Sequence, residues 1–177
     1  RDFNHPAIIG WCPFNETWDQ TSQAAHRILR AVYDETKRLD PTRPVIDVSG
    51  AYHEITDIYD QHDYDQNPES FGKSYAGYNG EEESFNLFFK DKQVYIPHLP
   101  FFLSEFGGIK WIPESNRSSA ADKSWGYGDA PATEEEFFTR YEGLTAALLN
   151  APNIMGFCYT QLYGVEQEVN GLYTYAR

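Results

Sequence analysis

Two glutamates, each closing an apolar run, hold the chemistry that this chain could do. The first run, Ala7-Ile8-Ile9-Gly10-Trp11-Cys12-Pro13-Phe14, ends in Asn15-Glu16. The second, Leu99-Pro100-Phe101-Phe102-Leu103, ends in Ser104-Glu105-Phe106-Gly107-Gly108. A carboxylate at the C-terminal end of a buried strand lies where an α/β barrel keeps its chemistry. Two of them facing one pocket are what cleavage of a glycosidic bond requires. They are 89 positions apart (105 minus 16), so only a closed fold brings them together.

Other residue types give less. His5, His26, His53 and His98 show no metal-ligand spacing. Asp63, Asp65 and Asn67 match the first three ligand positions of a calcium loop, but Pro68 stands where the turn needs Gly and Ser74 where the closing Glu belongs. We therefore assign no metal and no cofactor. Cys12 and Cys158 lie inside apolar runs and read as buried free thiols, giving no disulfide framework. Asn15-Glu16-Thr17 and Asn116-Arg117-Ser118 match the glycosylation pattern, with Asn15 disfavoured because an apolar run ends there.

Strands covered on both faces read as near-continuous apolar runs. Ala7–Phe14, Pro44–Val48, Ile55–Tyr59, Leu99–Leu103 and Ile154–Tyr159 fit that description, with Asp47 and Asp57 interrupting the second and third. A helix is predicted from about Thr21 to Leu39, with Ala25, Ile28, Leu29, Val32, Thr36 and Leu39 on one face, Asp19 near its start and Lys37-Arg38 in its last turn. Thr133-Glu134-Glu135-Glu136 matches a capping box and opens a second helix whose apolar face is Phe137, Tyr141, Leu144, Ala147 and Leu148. A shorter helical piece is predicted around Glu83–Lys90. The alternation predicts right-handed βαβ units. Asp63–Glu82 and Ile109–Ala132 read as long loops that rise from strand ends over the active face.

The 177 residues fit one domain (1–177) of ordinary size. A net charge of -13 argues against nucleic acid and anionic membranes as partners. No apolar run approaches the roughly 20 residues of a membrane span. The chain opens on Arg1 without a signal peptide and reads as a piece of a longer protein.

At this point the segments resemble a known family. Asn4-His5-Pro6-Ala7-Ile8-Ile9-Gly10-Trp11, continuing to Asn15-Glu16-Thr17, resembles the acid/base signature of glycoside hydrolase family 2, which includes β-galactosidases and β-glucuronidases. Ser104-Glu105-Phe106-Gly107-Gly108 resembles its nucleophile segment. Leu39-Asp40-Pro41-Thr42-Arg43-Pro44-Val45 is similar to its link into strand five, and Asn150 to Gly156 with Tyr159-Thr160-Gln161-Leu162 to its eighth strand and following loop. The resemblance implies an α/β fold, a (β/α)8 TIM barrel, present here as a partial barrel covering about strands four to eight.

It further implies a retaining exo-β-glycosidase, with Glu16 as acid/base and Glu105 as nucleophile, in which β-galactosidase is placed ahead of β-glucuronidase. The implied substrate-binding residues are Asn15 at the sugar 2-hydroxyl, His62 lining the pocket, Tyr64 hydrogen-bonded to the nucleophile, and Trp125, Tyr159 and Gln161. Trp11, Trp111 and Tyr163 are further candidates for stacking on a sugar. Many relatives carry Trp where this chain has Tyr159. The alternatives are β-mannosidase or cellulase-like specificity, or a non-catalytic carbohydrate-binding barrel fragment. With strands one to three outside the sequence, the segment alone is expected to be inactive or nearly so, and either to self-associate through exposed barrel edges or to be marginally stable. The expected partner is a carbohydrate substrate.

Overall fold

The structure is a computed structural model and describes residues 2, 4–17, 22–84, 93, 95–112 and 123–175. Three parallel strands, β1 (Tyr59–Asp63), β2 (Phe101–Gly107) and β3 (Ile154–Thr160), form one sheet in the order β1-β2-β3. Helix α1 (Gln23–Leu39) precedes them, α2 (Pro68–Ala76) joins β1 to β2, and α3 (Glu134–Leu149) joins β2 to β3. Before β1, two further segments pair in parallel through the bridges Trp11–Val45 and Asn15–Ser49. The result is one parallel pair of bridged segments followed by a three-stranded parallel sheet with helical crossovers, an α/β partial barrel.

Caps set the helix starts. Ser22 accepts from Ala25 N at the head of α1, and Thr133 from Glu136 N at the head of α3, where Glu136 Oε2 in turn accepts from Ala132 N. These reciprocal bonds satisfy donors that the first turn leaves unpaired. Thr21 and Asp19 lie outside the described residues. In α1 the buried side chains are Leu29 and Tyr33, while Ile28 and Leu39 are exposed, so the packed face is rotated from the expected one. The Tyr33 hydroxyl explains its inward turn, since it donates to Asp57 at 2.7 Å.

Helix α2 lies inside the expected loop Asp63–Glu82. Its signal is Asn67-Pro68-Glu69: Asn67 accepts from Glu69 N and Ser70 N, Pro68 stands in the first turn, and Phe71 and Tyr75 follow at helical spacing and are buried. Around Glu83–Lys90 the structure shows a short 3-10 turn over Glu82–Ser84, and residues 85–90 lie outside the described residues. The core packs between the sheet and helices α2 and α3, with Phe71, Leu103, Phe106, Leu144 and Leu148 buried. Each such side chain contributes about 1.5–3 kcal/mol when removed from water.

The first three expected strands differ from the observed ones: Ala7–Phe14 and Pro44–Val48 are present only as bridged segments. The third apolar run, Ile55–Tyr59, is mostly turn, because Asp57 accepts from Val45 N, Lys37 and Tyr33, and the strand starts only at Tyr59. All five residues of β1 are buried although four are polar. Cys12 and Cys158 are free thiols but exposed, a correction to the buried reading. They lie on the first bridged segment and on β3. Met155 on β3 is likewise exposed.

The Leu39–Val45 link is held by Asp40. Buried at 3% exposure, it accepts from Trp11 Nε1 (2.8 Å), Arg43 Nη1 (2.6 Å), Thr42 N (3.0 Å) and Thr42 Oγ1 (2.5 Å). These donors, Thr42 foremost and against the effect of burial, hold its carboxyl well below the usual carboxylate range. A depressed folded pKa stabilises above the unfolded value and loses that contribution as pH falls through the folded one. Asp40→Ala is therefore expected to lower the thermal midpoint of the full-length protein at neutral pH, and the difference from wild type to close in strong acid. A midpoint difference that stays constant down to strong acid would sink this account.

Candidate active site

Glu16 ends the first bridged segment, with its backbone at φ 47°, a left-handed conformation that costs a non-glycine residue about 1 kcal/mol or more. Its amide donates to Ser49 O at 2.8 Å, which fixes where the side chain starts. Glu105 is placed by an irregularity in β2. Gln61 pairs with Leu103 and His62 with Glu105, so Ser104 is the extra residue of a bulge. The bulge turns both Ser104 and Glu105 toward the same side, where alternation would put them on opposite faces. Ser104 Oγ meets Asp60 and Glu105 meets Tyr64 and His62.

The two glutamates do come together. One carboxylate oxygen of each and one ring nitrogen of His62 lie within 4.8 Å of one another. His62 Nδ1 is 2.7 Å from Glu16 Oε1, and its Nε2 is 2.9 Å from Ser49 Oγ and 3.4 Å from Glu105 Oε1. The Tyr64 hydroxyl donates to Glu105 Oε2. Burial and that hydrogen bond push the Tyr64 phenol far above its usual range, so it remains a donor. His62 is 6% exposed in its side chain, whereas Glu16 and Glu105 are 34% and 27% exposed and remain reachable. Geometry alone would let these three side chains surround a small cation. Their hydrogen bonds to one another, to Ser49 and to Tyr64 read instead as an acid–base set.

Aromatic rings extend from this centre. Tyr127 stacks on Tyr64 with centroids 3.5 Å apart and planes 2° from parallel. Gly108, at φ +58, makes room for the pair, since a Cβ there would sit 2.4 Å from the Tyr127 ring. Trp125 stands edge-on to Tyr127 at 6.0 Å and is half exposed, so its face is open near the site. Asn15 is exposed beside Glu16, its backbone bridged to Ser49.

Two expected pocket residues lie elsewhere. Tyr159 packs against Phe106 (5.6 Å) and Tyr141 (5.1 Å), and its hydroxyl accepts from Ile109 N. It belongs to the core on the helix side of β3, opposite to the site. Gln161 donates to Asn170 Oδ1 at 2.9 Å and so ties down the loop after β3. Trp11 and Trp111 are also engaged, the first with Asp40 and the second with Phe137. Asn116 lies outside the described residues.

Sequence reasoning missed the polar layer beneath the pair. Asp60 Oδ2 accepts from Ser49 Oγ (2.6 Å), Gly50 N (3.2 Å) and Ser104 Oγ. His53 lies between two buried carboxylates, with Nδ1 2.7 Å from Asp47 Oδ1 and Nε2 3.1 Å from Asp60 Oδ1. Burial works to lower the His53 pKa, but the hydrogen bonds and charges of Asp47 and Asp60 outweigh it and raise the imidazole to about 9. The only available signal was the density of Asp and His between Asp47 and Asp63.

Known proteins resemble the chain along its whole length. A family model described as "Glycosyl hydrolases family 2, TIM barrel domain" matches residues 1–107, more than half of it. β-Glucuronidase of Sus scrofa is 41% identical over 54 residues, covering 30% of this chain and 8% of that protein. β-Glucuronidase of Homo sapiens is 43% identical over 51 residues, covering 29% and 8%. Among solved structures, a β-glucuronidase from an uncultured Clostridium species aligns over 100% of this chain and 31% of its own, with 16% identity and a TM-score of 0.67. The enzyme from Dictyoglomus thermophilum aligns over 100% and 30%, with 20% identity and a TM-score of 0.67. At such identity the structures show the fold, a TIM barrel, of which this chain spans about a third of the matched chains' length.

Proposed function

Since the chain belongs to glycosyl hydrolase family 2, as part of its TIM barrel domain, we propose that it carries both reacting carboxylates of a retaining β-glycosidase. The observation that carries this reading is the meeting of Glu16 and Glu105, whose oxygens lie within 4.8 Å. Retaining glycosidases hold their carboxyl groups about 5–5.5 Å apart, and inverting ones roughly 6.5–9.5 Å. Glu105 attacks the anomeric carbon while Glu16 protonates the departing oxygen. Glu16 then takes a proton from water, which releases the sugar from Glu105 with its configuration retained. Tyr64 holds Glu105 in place, Asn15 is available for the sugar 2-hydroxyl, and Trp125 offers a stacking face.

The names of the curated relatives favour a β-glucuronide as substrate over the β-galactoside favoured by the sequence reading. The substrate is a carbohydrate in both readings, and the activity is that of a complete barrel. The 2-deoxy-2-fluoro-β-glycosyl fluorides of glucuronate and galactose, given to the full-length protein, test both points. A covalent adduct on the Glu105 peptide is expected from one of them and names the sugar. Bound sugar without an adduct would favour a binding module.

Gly50 gives a further check. It adopts φ +72, and a Cβ there would lie 2.2 Å from His62 Nδ1. Gly50→Ala is expected to displace His62 and to cut kcat by about 10²-fold, as small misplacements do. Unchanged turnover would mean that the His62 position is immaterial.

A further inference from the structure

We propose that the buried Asp60–Ser49 pair makes His62 the residue that positions the proton of Glu16, an inference that rests on the acid/base assignment above. The argument is an account of protons. Asp60, 3% exposed, presents Oδ2 to Ser49, Ser104 and Gly50 N–H, and a carboxylate can only accept. Ser49 has one hydroxyl proton, directed to Asp60 at 2.6 Å or to Ser104 at 3.0 Å. In either case a lone pair of Ser49 faces His62 Nε2 at 2.9 Å, so Nε2 carries a hydrogen.

With the Nε2 hydrogen directed to Ser49, the other ring nitrogen Nδ1 lies 2.7 Å from Glu16 Oε1. Two lone pairs do not sit at that distance, so one proton lies between them. Shared between Nδ1 and Oε1, that proton can pass through Glu16 to the leaving oxygen of a substrate. Water resupplies it in the second half of the reaction, and His62 keeps its Nε2 proton throughout. Glu105 has no such reservoir: Tyr64 donates to its Oε2, and it remains an acceptor suited to attack. The two carboxylates are thus distinguished by what the fold places against each. The groups facing His62 are Glu16 from the first segment, Ser49 and Gly50 from the second, Tyr64 from the end of β1, and Glu105 from β2, with Tyr127 behind Tyr64.

The test uses the full-length protein and matched β-glycosides with an alkyl or a 2,4-dinitrophenyl leaving group. The second departs without needing a proton. Ser49→Ala and Asp60→Asn are expected to slow the alkyl glycoside by about 10²-fold, the usual worth of a positioned acid. Loss of the dinitrophenyl glycoside should be far smaller. Without the Ser49 acceptor, His62 can carry its hydrogen on Nδ1 and donate to Glu16, which favours the carboxylate. The alkaline limb of the alkyl profile then moves to lower pH. Equal loss on both substrates, or an unmoved limb, would overturn the proposal. Nitrogen-15 spectra of the wild-type histidines need no variant: a neutral His62 protonated on Nδ1 would overturn it as well. If wild type gives no adduct at Glu105, the glycosidase reading fails; an adduct with an unmoved limb fails only the role of His62.

Discussion

On the proposed reading, Glu105→Gln in the full-length protein is expected to abolish turnover of every β-glycoside, by roughly 10⁴-fold or more, whatever the leaving group. The covalent route runs through its oxygen, and the amide that replaces it is no nucleophile. Glu16→Ala behaves differently. It slows glycosides whose leaving group needs a proton by roughly 10²–10⁴-fold. A dinitrophenyl glycoside still forms the glycosyl-enzyme in a burst and then stalls, since nothing activates water. Azide, which needs no general base, restores turnover and yields a β-glycosyl azide. Two variants that lose all substrates alike, with no azide rescue, would show that these glutamates do not divide the work in this way.

The stability of the protein is expected to fall as pH rises through about 9, with His53 as the cause. Its imidazolium is held between Asp47 and Asp60, which raise it from 6.5 to about 9 against the effect of burial. A raised folded pKa contributes fully below the unfolded value and is lost as pH climbs through the folded one. The shift corresponds to about 3 kcal/mol of stability, present below pH 6.5 and gone above pH 9 to 10. Denaturant midpoints across that range should show this loss in wild type and a nearly flat limb in His53→Gln. The variant should also be unstable at neutral pH, because two buried carboxylates then share a site with no cation. A His53→Gln protein with the same alkaline decline would refute the assignment.

Legibility divides along a physical line. Helices α1 and α3 could be read because caps and spaced apolar residues are local signals. The run before Glu105 was readable because strands covered on both faces are apolar, whereas the run before Glu16 pairs only through bridges and has no buried residue. β1 was not, because Tyr59-Asp60-Gln61-His62-Asp63 looks like a loop. It is a buried strand only because Ser49, Tyr75 and Ser104 arrive from elsewhere to satisfy its polar groups, and His53 sets its charge against Asp60. Hydropathy assigns a cost to each residue alone and cannot register such partners. Tyr159 was misread for a related reason: the face of the strand on which a residue falls depends on register with the neighbouring strand.

By itself the sequence determined the family, the parallel α/β architecture, and the two glutamates at strand ends, since each is written in contiguous residues. Only the tertiary structure decided that a bulge at Ser104 turns Glu105 toward Glu16, that His62 stands between them, and that Asp60 lies beneath. Glu16, His62, Ser104 and Glu105 meet over 40 or more positions of chain, and their geometry arises from pairing and packing, which no local pattern encodes.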